Sequence, residues 1–169
     1  MNTIKDTRTS NSNKKKRWLK RLKIFITLYC GIGIGLYYLQ DVILFHPKKL
    51  ESNYKFGFKQ PFEELNIPFN TTDTVSMIKF FPEDSIRKGV VIYFHGNKEN
   101  VNHYAGFVPA FTKHGYEVWM PDYPGFGKST GELTEKKLYS IAYEVQKMAA
   151  LKYGSDSVIV YGKSLGTAI

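Results

Sequence analysis

One cysteine, Cys30, stands among 169 residues. That excludes an intrachain disulfide framework, and within an apolar run the thiol reads as a small hydrophobe. No C-x-x-C pair and no clustered histidine set occurs, so no structural metal site is supported, and neither metal nor cofactor is expected. Internal repeats are missing. Acidic residues are nearly missing from residues 1–23, where nine Lys/Arg face only Asp6. Excess positive charge is missing everywhere else, since residues 24–169 carry 15 basic and 14 acidic side chains. A nucleic-acid-binding domain requires a basic face on its folded part. The formal charge of +9 therefore describes an N-terminal tail, and nucleic acid is not an expected partner.

Long uncharged runs are also rare, with one exception. Ile24 to Leu39 reads IFITLYCGIGIGLYYL. Extended to Phe45 it reaches the length of a membrane span, about 20 residues. Trp18 on one side and Tyr37 and Tyr38 on the other suit interfacial positions. A cleaved signal peptide needs small residues at its cleavage site, and Leu36-Tyr37-Tyr38-Leu39 is bulky. A lipoprotein signal ending at Cys30 is opposed by the large Tyr29. A buried core helix leaves the basic cluster unexplained. The reading is an uncleaved single-pass anchor over residues 24–45, preceded by a basic cytoplasmic tail at 1–23. The positive-inside bias puts the C-terminal domain on the outer, periplasmic or lumenal, side. Gly31 and Gly35 form a G-x-x-x-G helix-pairing pattern.

Residues 46–62 are read as a juxtamembrane linker with scattered aromatics, and 63–169 as one domain. Glu64 to Phe69 and Val75 to Phe81 alternate with period two around the polar turn Asn70-Thr71-Thr72-Asp73, which predicts an antiparallel hairpin. Asn70-Thr71-Thr72 also fits a glycosylation sequon, a short pattern that chance produces often. Gly89 to Phe94 (GVVIYF) is a continuous apolar run, expected for a strand covered on both faces. A helix over Val101 to His114 follows, with Tyr104, Phe107, Val108 and Phe111 on one side. Tyr116 to Met120 is the next strand, and Asp122 to Gly131 a glycine-rich loop. A helix over Leu133 to Tyr153 places Leu138, Ile141, Val145, Met148 and Leu151 at helical spacing. Val158 to Tyr161 reads as a third buried strand. Strand–helix alternation of this kind predicts an α/β domain with a mostly parallel sheet and flanking helices.

That last strand runs into Gly162-Lys163-Ser164-Leu165-Gly166, a G-x-S-x-G sequence. A serine hydroxyl becomes a nucleophile when it is exposed and a neighbouring base takes its proton. A sharp strand-to-helix turn exposes it, and the residues two before and two after must then be small. The helix start offers N–H groups to a developing oxyanion, with Leu165 as one donor. His95-Gly96-Asn97 follows the strand GVVIYF, and its loop turns Asn97 N–H toward the same point, with Gly96 allowing the tight path. Nucleotide binding is not supported. Gly127-Lys128-Ser129 and Gly162-Lys163-Ser164 look like P-loop tails, but the required earlier glycine is replaced by Asp122 and Ser157.

Tyr93–Asn97 (YFHGN), Met120–Gly131 (MPDYPGFGKSTG) and Val160–Ala168 (VYGKSLGTA) together resemble the α/β-hydrolase superfamily. The resemblance covers roughly residues 63–169 and is nearest to membrane-anchored, single-span serine hydrolases of the peptidase S33 or α/β-hydrolase domain-containing type. It implies an α/β-hydrolase fold with Ser164 as nucleophile and Asn97 and Leu165 N–H as the oxyanion hole. His95, Gly96, Gly162 and Gly166 would be supporting residues, and Asp122 with the PGFG glycines would shape a neighbouring loop. It also implies an ester, thioester or amide substrate, whether small molecule, lipid or acyl peptide. In that family the acid and the histidine base follow the serine, which sets aside His46, His95, His103 and His114 as bases. No residue after Ser164 supplies either group. The chain is therefore expected to be the N-terminal part of a hydrolase, truncated after the elbow and inactive by itself. The alternative is a non-catalytic, membrane-tethered fragment or interaction module.

Overall fold

The computed structural model describes residues 3–83 and 87–169 and divides into two compact units, Met1–Leu44 and Phe45–Ile169. The first is one helix, α1 (Thr3–Leu44). The boundary expected at residue 23 is not a structural one. Lys and Arg are good helix formers, and no glycine or proline interrupts the chain before Gly31, so the helix runs through the basic segment. Within it Lys14–Gln40 is long and apolar enough to cross a membrane, with a mean hydropathy of 1.6 in its most apolar stretch and none of that stretch buried. Met1 and Asn2 of the expected tail lie outside the described residues.

The second unit starts earlier than the expected domain. β1 (His46–Pro47) adds to the domain, and Leu50 N–H donates to Gly127 O at 2.8 Å while Gly127 N–H donates to Lys48 O at 3.1 Å. Phe56 is buried, stacks on Phe58 at 5.3 Å, and Phe58 meets the Phe80 ring edge-on at 4.9 Å. Residues 46–62 are thus not a linker. Their aromatics are spaced to cover one sheet face, and burying such rings stabilises by about 2 kcal/mol each.

β2 (Phe62–Pro68) and β3 (Thr74–Phe80) form the predicted hairpin, in register Phe62↔Phe80. Asn70 Oδ1 accepts from Thr72 N–H at 2.8 Å and Asp73 N–H at 2.7 Å, an Asx-type turn that accounts for this asparagine without a glycan. β4 (Gly89–Phe94) is buried throughout. β5 (Lys98–Glu99) pairs in parallel with β1. The helix expected over 101–114 is broken into α2 (Val101–Tyr104), a 3-10 turn Ala105–Phe107 and α3 (Pro109–Thr112). Pro109 donates no N–H, so the ladder cannot pass through it. Phe107 consequently turns outward and is 45% exposed.

β6 (Tyr116–Pro121) is followed by α4 (Glu135–Tyr153), capped by Thr134, whose side chain accepts from Lys137 N–H at 3.3 Å, and closed by Gly154 at φ 77°. Leu138, Ile141, Val145 and Ala149 form its buried face. Leu151, expected on that face, is 81% exposed, because the i, i+4 step from Val145 lands on Ala149. β7 (Val158–Gly162) completes a five-stranded sheet in the order β2-β3-β6-β4-β7. β4 is parallel to β6 and to β7, whereas β3 is antiparallel to β6. β7 is an edge rather than a buried strand, with Ile159 and Val160 43% and 54% exposed.

β4 separates two cores. Val90, Ile92 and Phe94 pack with Trp119 and the buried face of α4 on one side, and Val91 and Tyr93 pack with Phe80, Val118 and Val108 on the other. Both faces are apolar, which is why GVVIYF shows no alternation. On β6 the buried Glu117 carboxylate meets Arg87 at 2.6 Å, Lys152 at 3.1 Å and Trp119 Nε1–H at 2.9 Å. Burial pushes this carboxyl up, but the donors outweigh burial and hold it below its usual range. A depressed carboxylate stabilises above its unfolded-state value and loses that contribution as pH falls through its folded value. Glu117→Gln is expected to lower stability by about 1–2 kcal/mol at pH 7. The gap from wild type should close below about pH 4, as read from urea midpoints across that range.

Candidate active site

β7 ends at Gly162, and Lys163 remains extended at φ −124°, ψ 124°. Ser164 then takes φ 53° and begins a 3-10 helix, Ser164–Ala168. A left-handed non-glycine residue costs on the order of 1 kcal/mol. Among the described residues only Glu99 and Ser164 adopt one. The turn is held by Lys163 N–H to Phe94 O at 3.0 Å, Gly166 N–H to Lys163 O at 3.0 Å, and Thr167 Oγ1–H to Ser164 O at 2.6 Å.

Both flanking glycines are forced by close backbone approach. A Cβ on Gly162 would sit 2.8 Å from Thr167 N and strike the Gly166 carbonyl, and one on Gly166 would sit 2.6 Å from Phe94 C and strike its oxygen. Real Cβ atoms essentially never come within 3.0 Å of such neighbours. The strand end, the turn and the end of β4 are thus packed backbone against backbone around Ser164.

The loop leaving β4 reaches the same place. A Cβ on Gly96 would lie 3.4 Å from Ser164 Cβ and 2.6 Å from the Tyr104 hydroxyl, so Gly96 faces the Ser164 turn. Asn97 follows, and its carbonyl accepts from His46 N–H at 2.9 Å. Leu165 is partly buried against the α4-side core.

His95 is fully buried, with Nδ1 2.7 Å from Gly96 O. Its Nε2 lies 3.1 Å from Asp122 Oδ1, off the hydrogen-bonding line. The ring stacks on Tyr104 at 5.2 Å and lies 4.3 Å from the tilted ring of Tyr123, and the Tyr123 hydroxyl donates to His95 O at 2.7 Å. Burial pushes the Tyr123 phenol far above its ordinary value, so it stays neutral and donates. Tyr104 and Tyr123 were not singled out as site residues in the sequence. The trace there was Tyr104 on the predicted inner face of its helix and Tyr123 beside Asp122.

Asp122 ties β3 and the start of α2 to its own loop. Its Oδ1 accepts from Val101 N–H at 2.9 Å, its N–H donates to Ser76 O at 2.9 Å, and its carbonyl accepts from Ser129 Oγ–H at 2.7 Å. Gly127, at φ 51°, backs directly on its carboxylate. Asp122→Ala would strand Val101 N–H in a buried place and leave a void beside His95. We expect a loss of about 3 kcal/mol, measured as a lower thermal midpoint, with Asp122→Asn recovering part of it.

Among the described residues, no imidazole or carboxylate is hydrogen-bonded to Ser164, and no three His, Cys, Asp or Glu side chains converge as a metal requires. An open groove of about 590 Å³ lies elsewhere, between the end of β2 and α4, lined by Ile67, Phe69, Tyr139, Tyr143 and Met148 among others.

Residues 89–169 match the family model for the alpha/beta hydrolase fold. The chain is 34% identical over 91 residues to protein ABHD12B of Homo sapiens, a match covering 52% of this chain and 25% of that protein. It is 25% identical over 154 residues to protein bem46 of Schizosaccharomyces pombe, covering 82% and 50%. The chain thus spans a quarter to a half of the length of these relatives. Among solved structures it is similar to a thermostable carboxyl esterase of Bacillus coagulans, with TM-score 0.54, 24% identity and coverage of 63% and 37%. It is also similar to a Pyrococcus furiosus esterase, with TM-score 0.51, 23% identity and coverage of 72% and 49%. From the family match over residues 89–169, the sheet order and the backbone packing at the Ser164 turn together, the chain carries the alpha/beta hydrolase fold through the Ser164 turn.

Proposed function

We propose that Ser164 is the nucleophile of a serine hydrolase that cleaves an ester, thioester or amide through an acyl-enzyme. The observation carrying this reading is Ser164 at φ 53° between a strand end and a helix start, with a glycine on each side that no larger residue could replace. Such a turn projects a hydroxyl away from the sheet, and the strain is the cost of exposing it. Attack on a carbonyl carbon would form the Ser164 Oγ–C bond and move the carbonyl electrons onto oxygen. Leu165 N–H at the helix start and Asn97 N–H beyond Gly96 are the donors assigned to that oxyanion. His95 is engaged by Asp122 and the Gly96 carbonyl, so it supports the loop, and the base is assigned to another histidine of the whole protein. The carboxyl esterase and esterase likenesses favour an ester substrate. α1 is assigned as a single-pass anchor, its basic end cytoplasmic and the hydrolase domain on the opposite side.

The test is labelling of the whole protein by a fluorophosphonate probe, with Ser164→Ala as control. Labelling that the substitution abolishes supports the assignment, and a folded protein that stays unlabelled refutes it. A second reading applies to these 169 residues alone and rests on the lack of any base bonded to Ser164. By itself the chain is then a tethered, non-catalytic module, and Ser164-dependent turnover by the purified chain would contradict that.

A further inference from the structure

Lys14–Lys23 holds seven cations and no acid, and every one of its residues is exposed on α1. At about 100° per residue this stretch is two-sided. Trp18, Leu19 and Leu22 share one side, exposed by 61%, 40% and 37%. That stripe continues along the helix through Phe25 and Ile26. Lys16, Arg17, Lys20, Arg21 and Lys23 share the opposite side, Lys14 sits at the boundary next to Trp18, and Lys15 falls among the apolar residues.

We propose that Lys14–Lys23 is a docking surface for anionic phospholipid headgroups. The proposal rests on the reading of α1 as an anchor and goes beyond it. Cations that only set topology act by number, whatever side of a helix they occupy. A two-sided arrangement with a tryptophan in its apolar stripe is the pattern of a helix seated at a lipid interface, and on the membrane α1 would bend where the basic stretch meets Ile24 to bring that side down. Distance agrees with this. Lys23 adjoins the apolar segment at Ile24, and ten residues at about 1.5 Å rise keep all seven charges within about two Debye lengths of the membrane surface. A nucleic acid would engage the cations and leave Trp18, Leu19 and Leu22 uncovered, whereas a lipid surface takes both sides.

The full chain carrying Cys30→Ser and Leu19→Cys, labelled with an environment-sensitive fluorophore at position 19, is reconstituted into phosphatidylcholine vesicles with or without phosphatidylserine. With phosphatidylserine, acrylamide quenching of the label should fall by about threefold or more. The protection should vanish at high salt, and it should be absent when Lys16, Arg17, Lys20 and Arg21 are all changed to Gln. Equal quenching in both vesicles overturns the proposal while leaving the anchor standing. Extraction of the chain from both vesicles by alkaline carbonate overturns the anchor and the proposal together. Protection by a soluble oligonucleotide over neutral vesicles, with none from phosphatidylserine, overturns lipid as the partner.

Discussion

Ser164→Ala in the whole protein should reduce hydrolysis by at least about 10⁴-fold, the scale on which serine-triad enzymes lose activity without their nucleophile. It should do so without cost to the fold. Ser164 makes one bond that holds the turn, from Thr167 to its main-chain oxygen, and the alanine keeps that acceptor. Ser164→Gly should go further and raise stability by about 1 kcal/mol, because glycine adopts φ 53° without the Cβ clash. Opposite signs for activity and stability at one residue are the mark of a strained working group. Parallel thermal melts and kcat measurements on wild type, S164A and S164G check this. If S164G is less stable than S164A, the turn is not strained as described.

Gly166→Ala should have a large effect on folding for a single added methyl. The added methyl would overlap the Phe94 carbonyl, and Lys163 N–H is bonded to that same oxygen at 3.0 Å. Neither side can yield without breaking the join between β4 and β7. A cost of about 3 kcal/mol is expected. The matching change at Gly57, where nothing lies within 4 Å of the new atom, should shift the midpoint little. Urea unfolding of both variants in the same detergent makes the comparison. Similar midpoints for the two would show that the packing around Ser164 relaxes, and would remove the argument that its glycines are obligatory.

The parts of the fold readable from the chain were those whose pattern repeats locally. GVVIYF could only be a doubly covered strand, and the Asn70–Asp73 turn between two alternating segments could only be a hairpin. The Ser164 turn was legible because three neighbouring residues obey one steric rule. What escaped was set by distant partners. Residues 46–62 looked like a linker because their folding depends on Gly127 and Phe80, far along the chain. Leu151 and Phe107 looked buried because helical spacing names several faces and only packing chooses among them. The His95–Asp122 and His95–Tyr123 contacts join residues more than twenty positions apart, and no local pattern announces such a join.

The strand order also sets a timetable for synthesis. β3 pairs with β6, and β4 pairs with β6 and β7, so β4 leaves the ribosome with no strand yet made that it will pair with. Chain growth at about 5–20 residues per second leaves GVVIYF waiting on the order of a second for β6, and longer for β7. In that interval an apolar strand with two open edges is available to any other chain nearby. An N-terminal helix that emerges first and enters a membrane would hold each nascent copy apart from its neighbours while the sheet assembles out of sequence.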